Sequence, residues 1–285
     1  MGDAKKLIVA PITAQDANKI VRAIHYSGKV VNNSQLHLGV FMDGKCGGAM
    51  QFGPSLDKRK IQGLVRGTGW NDFLELNRMA FADWLPRNGE SRCIAYAMRW
   101  IKKTYPWIQW VVTFADGTQC GDGTIYRASG FHLLQIKKNN QIWIAPDGEK
   151  TTRMVATDTR RPARERLLSR VSVTKVQEIM HTLTIKGARS GTKTVDEVCK
   201  TAGGGASMKK FIEKGWRALP GFQLKYIYFI DPTARERLTV PILPYSEIEK
   251  RGAGMYKGES RAGSIAVDAP DNQSGEGGST PTPAL

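Results

Sequence analysis

One window, Leu74 to Phe131, constrains the fold of this 285-residue chain more than any other. Phe73 to Ala80 reads as a strand, with Leu74, Leu76 and Arg78 alternating against Glu75, Asn77 and Met79. Pro86 opens a break. Ser91 to Tyr105 then reads as a helix, Ala- and Met-rich on one face and Arg- and Lys-rich on the other, stopped by Pro106. Trp110 to Phe114 has the length and the β-branched, aromatic content of a strand buried on both faces. Ala115-Asp116-Gly117 follows, and Gly121, Gly123 and Thr124 lead into a short helix around Tyr126, with Gly130 as its C-cap. The polar residues sit at element ends: Arg78, the run from Arg87 to Arg92, Asp116 and Tyr126. Element ends are where a rigid scaffold presents chemistry.

Around this window the pattern continues. Leu7 to Ala10 is a short apolar strand, and Thr13 is the N-cap of a helix carrying Ala17, Ile20, Val21 and Ile24 at helical spacing, ending near His25-Tyr26-Ser27-Gly28. Leu36 to Phe41 and Cys46 to Phe52 form a hairpin about Met42-Asp43-Gly44; Lys58-Arg59-Lys60 is an exposed basic cluster in the next loop. A second hairpin is expected from Phe131 to Ile136 and Gln141 to Ala145. Strand and helix order gives a mixed α/β sheet with helices on both faces, occupying residues 1–150. Residues 151–260 form a basic extension with helices at Pro162 to Arg170 and Thr174 to Leu183, a glycine-rich loop at Thr201 to Ser207, and a strand at 222–230 able to return to the sheet. Residues 261–285, rich in Gly, Ser, Pro and Thr, are expected to be disordered.

Composition sets the partner class. The chain carries a net +16, with 20 basic against 12 acidic residues up to position 150 and 22 against 14 beyond it. Such a charge attracts polyanions, and nucleic acid leads; no basic amphipathic helix favours a membrane surface. No apolar run reaches the ~18 residues of a membrane span, and Met1 to Lys6 leads into a β segment rather than a signal peptide. Cys46, Cys93, Cys120 and Cys199 show neither CxxC nor zinc-type spacing, as expected of reduced cytosolic thiols.

Several residues have a chemical reading and a plainer one. Arg87-Asn88-Gly89-Glu90-Ser91-Arg92 precedes a helix, where backbone N–H groups, the helix dipole and two arginines suit a pyrophosphate; equally, Ser91 is an N-cap of a solvated helix. Asp116 is a general base or the start of an Asp-Gly turn. Tyr126 is a proton donor to a leaving group or a packed aromatic. His25 has no second ligand at metal spacing. Trp84, beside a proline-containing loop, is a candidate for base stacking.

The combination resembles the Mom family of bacteriophage DNA adenine-modification proteins. The likeness is carried by Leu76-Asn77-Arg78, Pro86 to Arg92, Pro106-Trp107-Ile108, Ala115-Asp116 and Gly123 to Phe131, with His25-Tyr26 as an N-terminal match. That family is similar in turn to GNAT-type acyltransferases. The resemblance therefore implies a GNAT-like, mostly antiparallel sheet flanked by helices with a C-terminal extension. It implies an enzyme adding a methylcarbamoyl (acetamido-type) group to N6 of adenine in double-stranded DNA, shielding it from restriction, in the cytoplasm of an infected host. His25, Tyr26, Arg78, Ser91, Asp116 and Tyr126 become the catalytic set. Arg78, Arg87, Asn88, Gly89, Ser91 and Tyr126 would hold acetyl-CoA or a related acyl donor, although the usual Arg/Gln-x-x-Gly-x-Gly/Ala loop is missing. His25 and Asp116 would be metal ligands should the reaction need iron, and Lys58, Arg59, Lys60 and Trp84 would contact DNA. The target base must be flipped out, because N6 is paired inside the duplex. A simple acetyl transfer does not give an acetamido product, so an unusual donor or an added step is required. Two other readings stand beside this one: a non-catalytic DNA-binding, anti-restriction protein, and a conventional N-acetyltransferase.

Overall fold

The computed structural model describes residues 3–157, 205–256 and 259–260. Strand β1 (Ile8–Pro11) leads into α1 (Ala14–Ile24). Thr13 caps that helix: its Oγ1 accepts the Asp16 N–H at 3.1 Å and donates to the Asp16 carboxylate at 2.8 Å. Strands β2 (Leu36–Met42) and β3 (Lys45–Gly53) form the expected hairpin. Asp43 and Gly44 close it with φ of 49° and 75°, as a two-residue mirror-image turn requires.

Lys58 to Lys60 lie not in a loop but in a short helix, α2 (Lys58–Gln62), held down by buried Ile61. Strand β4 (Phe73–Phe81), helix α3 (Gly89–Thr104) and strand β5 (Trp110–Asp116) follow. Parallel neighbours need a crossover connection, and α3 supplies it for β4 and β5. Helix α3 starts before Ser91. Its N-cap is Asn88, at φ 63°, and Gly89 is buried against Leu7, whose Cδ1 would lie 2.9 Å from a Cβ there. A side chain at this first helical position would push aside the end of Leu7, the residue just before β1.

Helix α4 (Thr124–Ala128) and strand β6 (His132–Lys138) complete the first run of elements. The second hairpin does not form. Strand β6 pairs in the main sheet, whereas β7 (Ile142–Ile144) pairs with β8 (Lys150–Thr152) and β9 (Arg217–Ala218) in a separate small sheet. Strand β10 (Phe222–Phe229) inserts between β5 and β6, antiparallel to both. The main sheet therefore runs β1-β2-β3-β4-β5-β10-β6, antiparallel throughout except for β4 and β5. This is the mixed sheet expected from the element order, and it is mostly antiparallel as the family resemblance implied.

Both faces are covered, so β5 is buried nearly end to end and its side chains alternate between two cores. Val111 and Ala115 pack with Ile94, Ala97, Met98 and Ile101 of α3, while Trp110 and Val112 pack with Phe73 and Ile61. A third cluster, around Trp143, Phe211 and Trp216, lies beside the small sheet. Gly205–Glu213 is a helix, so Gly205 to Ser207 open a helix where a loop was expected. The helices expected at 162–170 and 174–183, Cys199 and the tail from 261, apart from 259–260 before it, lie outside the described residues.

Candidate functional site

Strands β4 and β5 are paired only at Phe73/Trp110, Leu74/Val111 and Glu75/Val112. Beyond that point β4 is bulged: Phe52 pairs with Leu76 and Gln51 with Arg78, leaving Asn77 as the extra residue. A bulge bends its strand, and here the two parallel strands part. The Thr113 hydroxyl, donating to the Leu76 carbonyl at 3.4 Å, is a last link across the gap. A cavity of about 630 Å³ opens there, well within the size of small-molecule sites. Its walls are Glu75 to Met79 of β4, Phe114 to Asp116 of β5, the His25-Tyr26 turn, Ser55 to Asp57, and Cys120 to Tyr126.

The His25-Tyr26 turn ends α1. His25 N–H closes the last helical turn on Val21, and its Nδ1 accepts the Ser27 N–H at 3.1 Å with the Ser27 hydroxyl 2.8 Å away. Burial, aided by the Arg78 charge, lowers its pKa to about 4. The ring is thus neutral at pH 7, and with Nδ1 accepting, its one proton is on Nε2. The Tyr26 ring stands at the cavity rim, half exposed. Its hydroxyl is nonetheless held protonated by burial and by Cys120 and Asp116. Arg78 ties β4 to this turn, donating from Nε to the Lys29 carbonyl at 3.0 Å and from Nη1 to its neighbour Asn77 at 2.7 Å. Its remaining N–H groups are available to an anion or a polarised carbonyl.

Asp116 ends β5 and organises the loop behind it. Its Oδ1 accepts from Thr118 N–H at 3.0 Å and Asn139 Nδ2 at 3.0 Å, and its Oδ2 from Gln119 Nε2 at 3.1 Å. Its carbonyl accepts the Cys120 N–H at 2.8 Å, so the turn reading of Asp116 holds alongside the chemical one. Gly123 starts α4 at φ 84°, its α-carbon pressed so close to the Tyr226 ring that a Cβ would lie 2.5 Å from it. Only glycine fits that contact. The Tyr226 hydroxyl donates to the Asp122 carbonyl at 2.6 Å, locking β10 to the loop that presents Tyr126. Asp122, with its side chain 3% exposed, pairs with Arg127 at 3.1 Å and fixes α4 from the other side. Burial pushes the Tyr126 hydroxyl up to about 12, with Thr113 opposing by hydrogen bonding and the nearby Cys120 and Glu75 adding to the rise. Tyr126 is therefore a proton donor at neutral pH.

His25, Tyr26, Arg78, Asp116 and Tyr126 thus meet in one cavity although they lie up to a hundred residues apart. Ser91, Arg87, Asn88 and Gly89 do not line it; of that segment only Glu90 does. Ser91 is no N-cap, because its hydroxyl donates back to the Asn88 carbonyl at 3.2 Å within the first helical turn. Lys58 turns away over Trp70, 4.5 Å from the ring centroid, while Arg59 and Lys60 are exposed. Trp84 is exposed on one side and lies over Gly47 on the other, outside the cavity. Sequence reasoning passed over Glu75, Ser55 and Cys120, all of which line the cavity. The signal for Glu75 was present: a carboxylate within the apolar run Phe73-Leu74-Glu75-Leu76 is rare unless it serves a site.

The metal expectation finds no support in the geometry. Among the described residues no three His, Cys, Asp or Glu side chains are grouped to hold an ion. His25 is also wrongly prepared: a metal on Nε2 would require the proton on Nδ1, where the Ser27 N–H already donates. His25 and Asp116 do not fit iron, and no step is routed through one.

The chain is 42% identical over 132 residues to methylcarbamoylase mom of Escherichia phage Mu, a match covering 46% of this chain and 54% of that protein. It thus spans about half the length of the curated relative it matches. Among solved structures, a tandem GNAT protein from the clavulanic acid biosynthesis pathway shares 9% identity at a TM-score of 0.40, over 79% of this chain and 99% of its own. The ribosomal-protein-S18-alanine N-acetyltransferase of Escherichia coli shares 12% at a TM-score of 0.33, over 50% and 88%. The model of the Mom protein family matches residues 6–189, from the end of the first helical turn past every cavity-lining residue up to α4, and this chain belongs to that family.

Proposed function

We propose that this protein is a group transferase that modifies N6 of adenine in DNA, adding a methylcarbamoyl (acetamido-type) group and thereby shielding phage DNA from restriction. The observation that supports this reading most directly is the meeting of Arg78, Tyr26, Asp116 and Tyr126 at the parting of β4 and β5. The name of the phage Mu relative, a methylcarbamoylase, supplies the transferred group.

In this reading a thioester of the coenzyme A class, whose acyl group is itself the methylcarbamoyl group to be transferred, enters the gap between the strands, where backbone groups no longer paired in the ladder face an extended, amide-bearing chain. Arg78 holds its carbonyl oxygen and stabilises the charge that develops there. The anionic end of the donor would rest outside the cavity near Arg87 and the start of α3. The adenine amine is a weak nucleophile, its lone pair being delocalised into the ring. Asp116, held by three donors, retains about one of its four acceptor positions and orients the amine. As the bond between N6 and the donor's carbonyl carbon forms, the carbon–sulfur bond of the donor breaks; Asp116 takes the proton lost from N6, and Tyr126 protonates the departing thiolate. The +16 charge favours approach to duplex DNA and offsets the few kcal/mol needed to flip a base.

The test is co-expression with a plasmid, digestion to nucleosides, and mass spectrometry. A modified deoxyadenosine is expected with the native chain. An unmodified adenine pool sinks the proposal. Asp116→Asn, which keeps the turn's size and shape, should lose the product while retaining DNA affinity.

A further inference from the structure

One part of the cavity lacks a partner of its own. Ser55 precedes α2, is 4% exposed and lines the cavity; its Oγ makes no hydrogen bond of full geometry among the described residues, but it lies close enough to Glu75 to favour that carboxylate. A buried hydroxyl without a well-formed hydrogen bond is costly, and in a cavity wall it can turn from its neighbour to a ligand. Glu75 faces the same space from β4. Burial raises its carboxyl, while Ser55, Asn77 and Arg78 work the other way. Asn77 is already engaged, accepting from the Ser34 hydroxyl at 3.1 Å and donating to the Pro54 carbonyl at 3.4 Å, so it steadies the segment that carries Ser55. Leu56, Ile61 and Phe114 add apolar wall. Glu75 is near enough to Tyr126 to act on its hydroxyl, which puts this corner beside the reacting centre.

A half-buried acceptor beside a buried hydroxyl that is free to turn toward a ligand, with apolar flanks, suits a flat heteroaromatic ring bearing an amine next to a ring nitrogen. Adenine presents that pair on both its edges, N6–H beside N1 and N6–H beside N7. Thymine sets a carbonyl oxygen where the amine would be, against the carboxylate, and guanine does so on its six-position edge, its own amine and acceptor nitrogen lying on the edge beside the sugar. Cytosine carries the same pair on a smaller ring and is the nearest competitor. We infer that Ser55 and Glu75 form the subsite that selects the target base, Glu75 accepting from the exocyclic amine and Ser55 donating to the adjacent ring nitrogen. The inference rests on the adenine reading above and names the side chains that read the base.

The experiment uses the purified full chain and duplexes carrying one unpaired base, so that flipping costs little: adenine, cytosine, or unsubstituted purine, which lacks the amine. Affinity is read by fluorescence anisotropy at one salt concentration. The native protein should prefer adenine to purine and to cytosine by about tenfold, the discrimination of one good base contact. Glu75→Leu should abolish the preference over purine. Ser55→Ala should weaken adenine and purine by a similar factor, since both keep the ring nitrogen, and Ser55→Thr should restore binding. Thermal melts establish that each variant is folded. An adenine preference that survives Glu75→Leu, equal or tighter binding of cytosine, or binding that Ser55→Ala leaves unchanged overturns the subsite. These failures differ from failure of the underlying reading, which would show as no modified deoxyadenosine from the native chain.

Discussion

The carboxyl end of β5 and the amino end of α3 look alike in sequence, each a short polar run at an element boundary. In the folded chain they part company. Asp116 enters a cavity shared with four other expected site residues, whereas Ser91 and Asn88 stay outside it and hydrogen-bond to each other. The difference teaches that polarity at an element end marks a candidate only. What selects between the two ends is where the sheet opens, and it opens where the bulge at Asn77 turns β4 away from β5.

The largest test of that contrast is Tyr126→Phe. Removing a proton donor of the reaction should lower modification by about 100-fold or more. Ser91→Ala should change it less than about threefold; equal losses at the two positions would break the comparison. Next, Asp116→Ala removes the acceptor shared by Thr118, Gln119 and Asn139. Leaving those donors unpaired should cost on the order of 1–3 kcal/mol in urea unfolding, whereas Ser91→Ala should stay within about 0.5 kcal/mol.

A pH series sharpens the picture of the His25 turn. Burial holds its folded-state pKa at about 4 against an ordinary 6.5, so between those values the unfolded chain binds more protons than the folded one. The stability His25 contributes is fully present above about pH 6.5 and is lost as pH falls toward 4. His25→Asn should flatten that part of the stability curve; an unchanged slope would mean the ring is not buried as described. The smallest effect is expected at Glu75. Its carboxyl is raised, so the folded state binds the extra proton and its stabilising effect falls as pH rises from the ordinary value of 4.5 through the raised one. Glu75→Leu should therefore gain stability relative to the native chain at neutral pH and lose that gain in acid, as followed by thermal melting.

Much of this was legible in the chain. Thr13 as a cap, the Asp43-Gly44 turn, and β5 as a central strand all follow from local rules, because capping, turn geometry and two-sided burial each leave a short-range signature. Less local matters were misread. Phe131 to Ile136 and Gln141 to Ala145 read as the two arms of a hairpin, but β6 takes β10 as its partner, a strand over eighty residues later. Ser91 read as the helix cap, yet the helix begins from Asn88 in a left-handed conformation, with Gly89 buried as its first residue. Neither competitor is visible within a short window.

The sequence by itself determined the elements, their order, the polyanion-seeking charge and the residue types at the ends of β4, β5 and α4. Tertiary structure alone decided which of those residues act together. Strand pairing and helix caps depend on neighbours along the chain or on one partner strand, and periodicity reports them. A cavity depends on where pairing fails, and the parting of β4 from β5, the insertion of β10, and the lone hydroxyl of Ser55 against Glu75 are products of packing between distant segments.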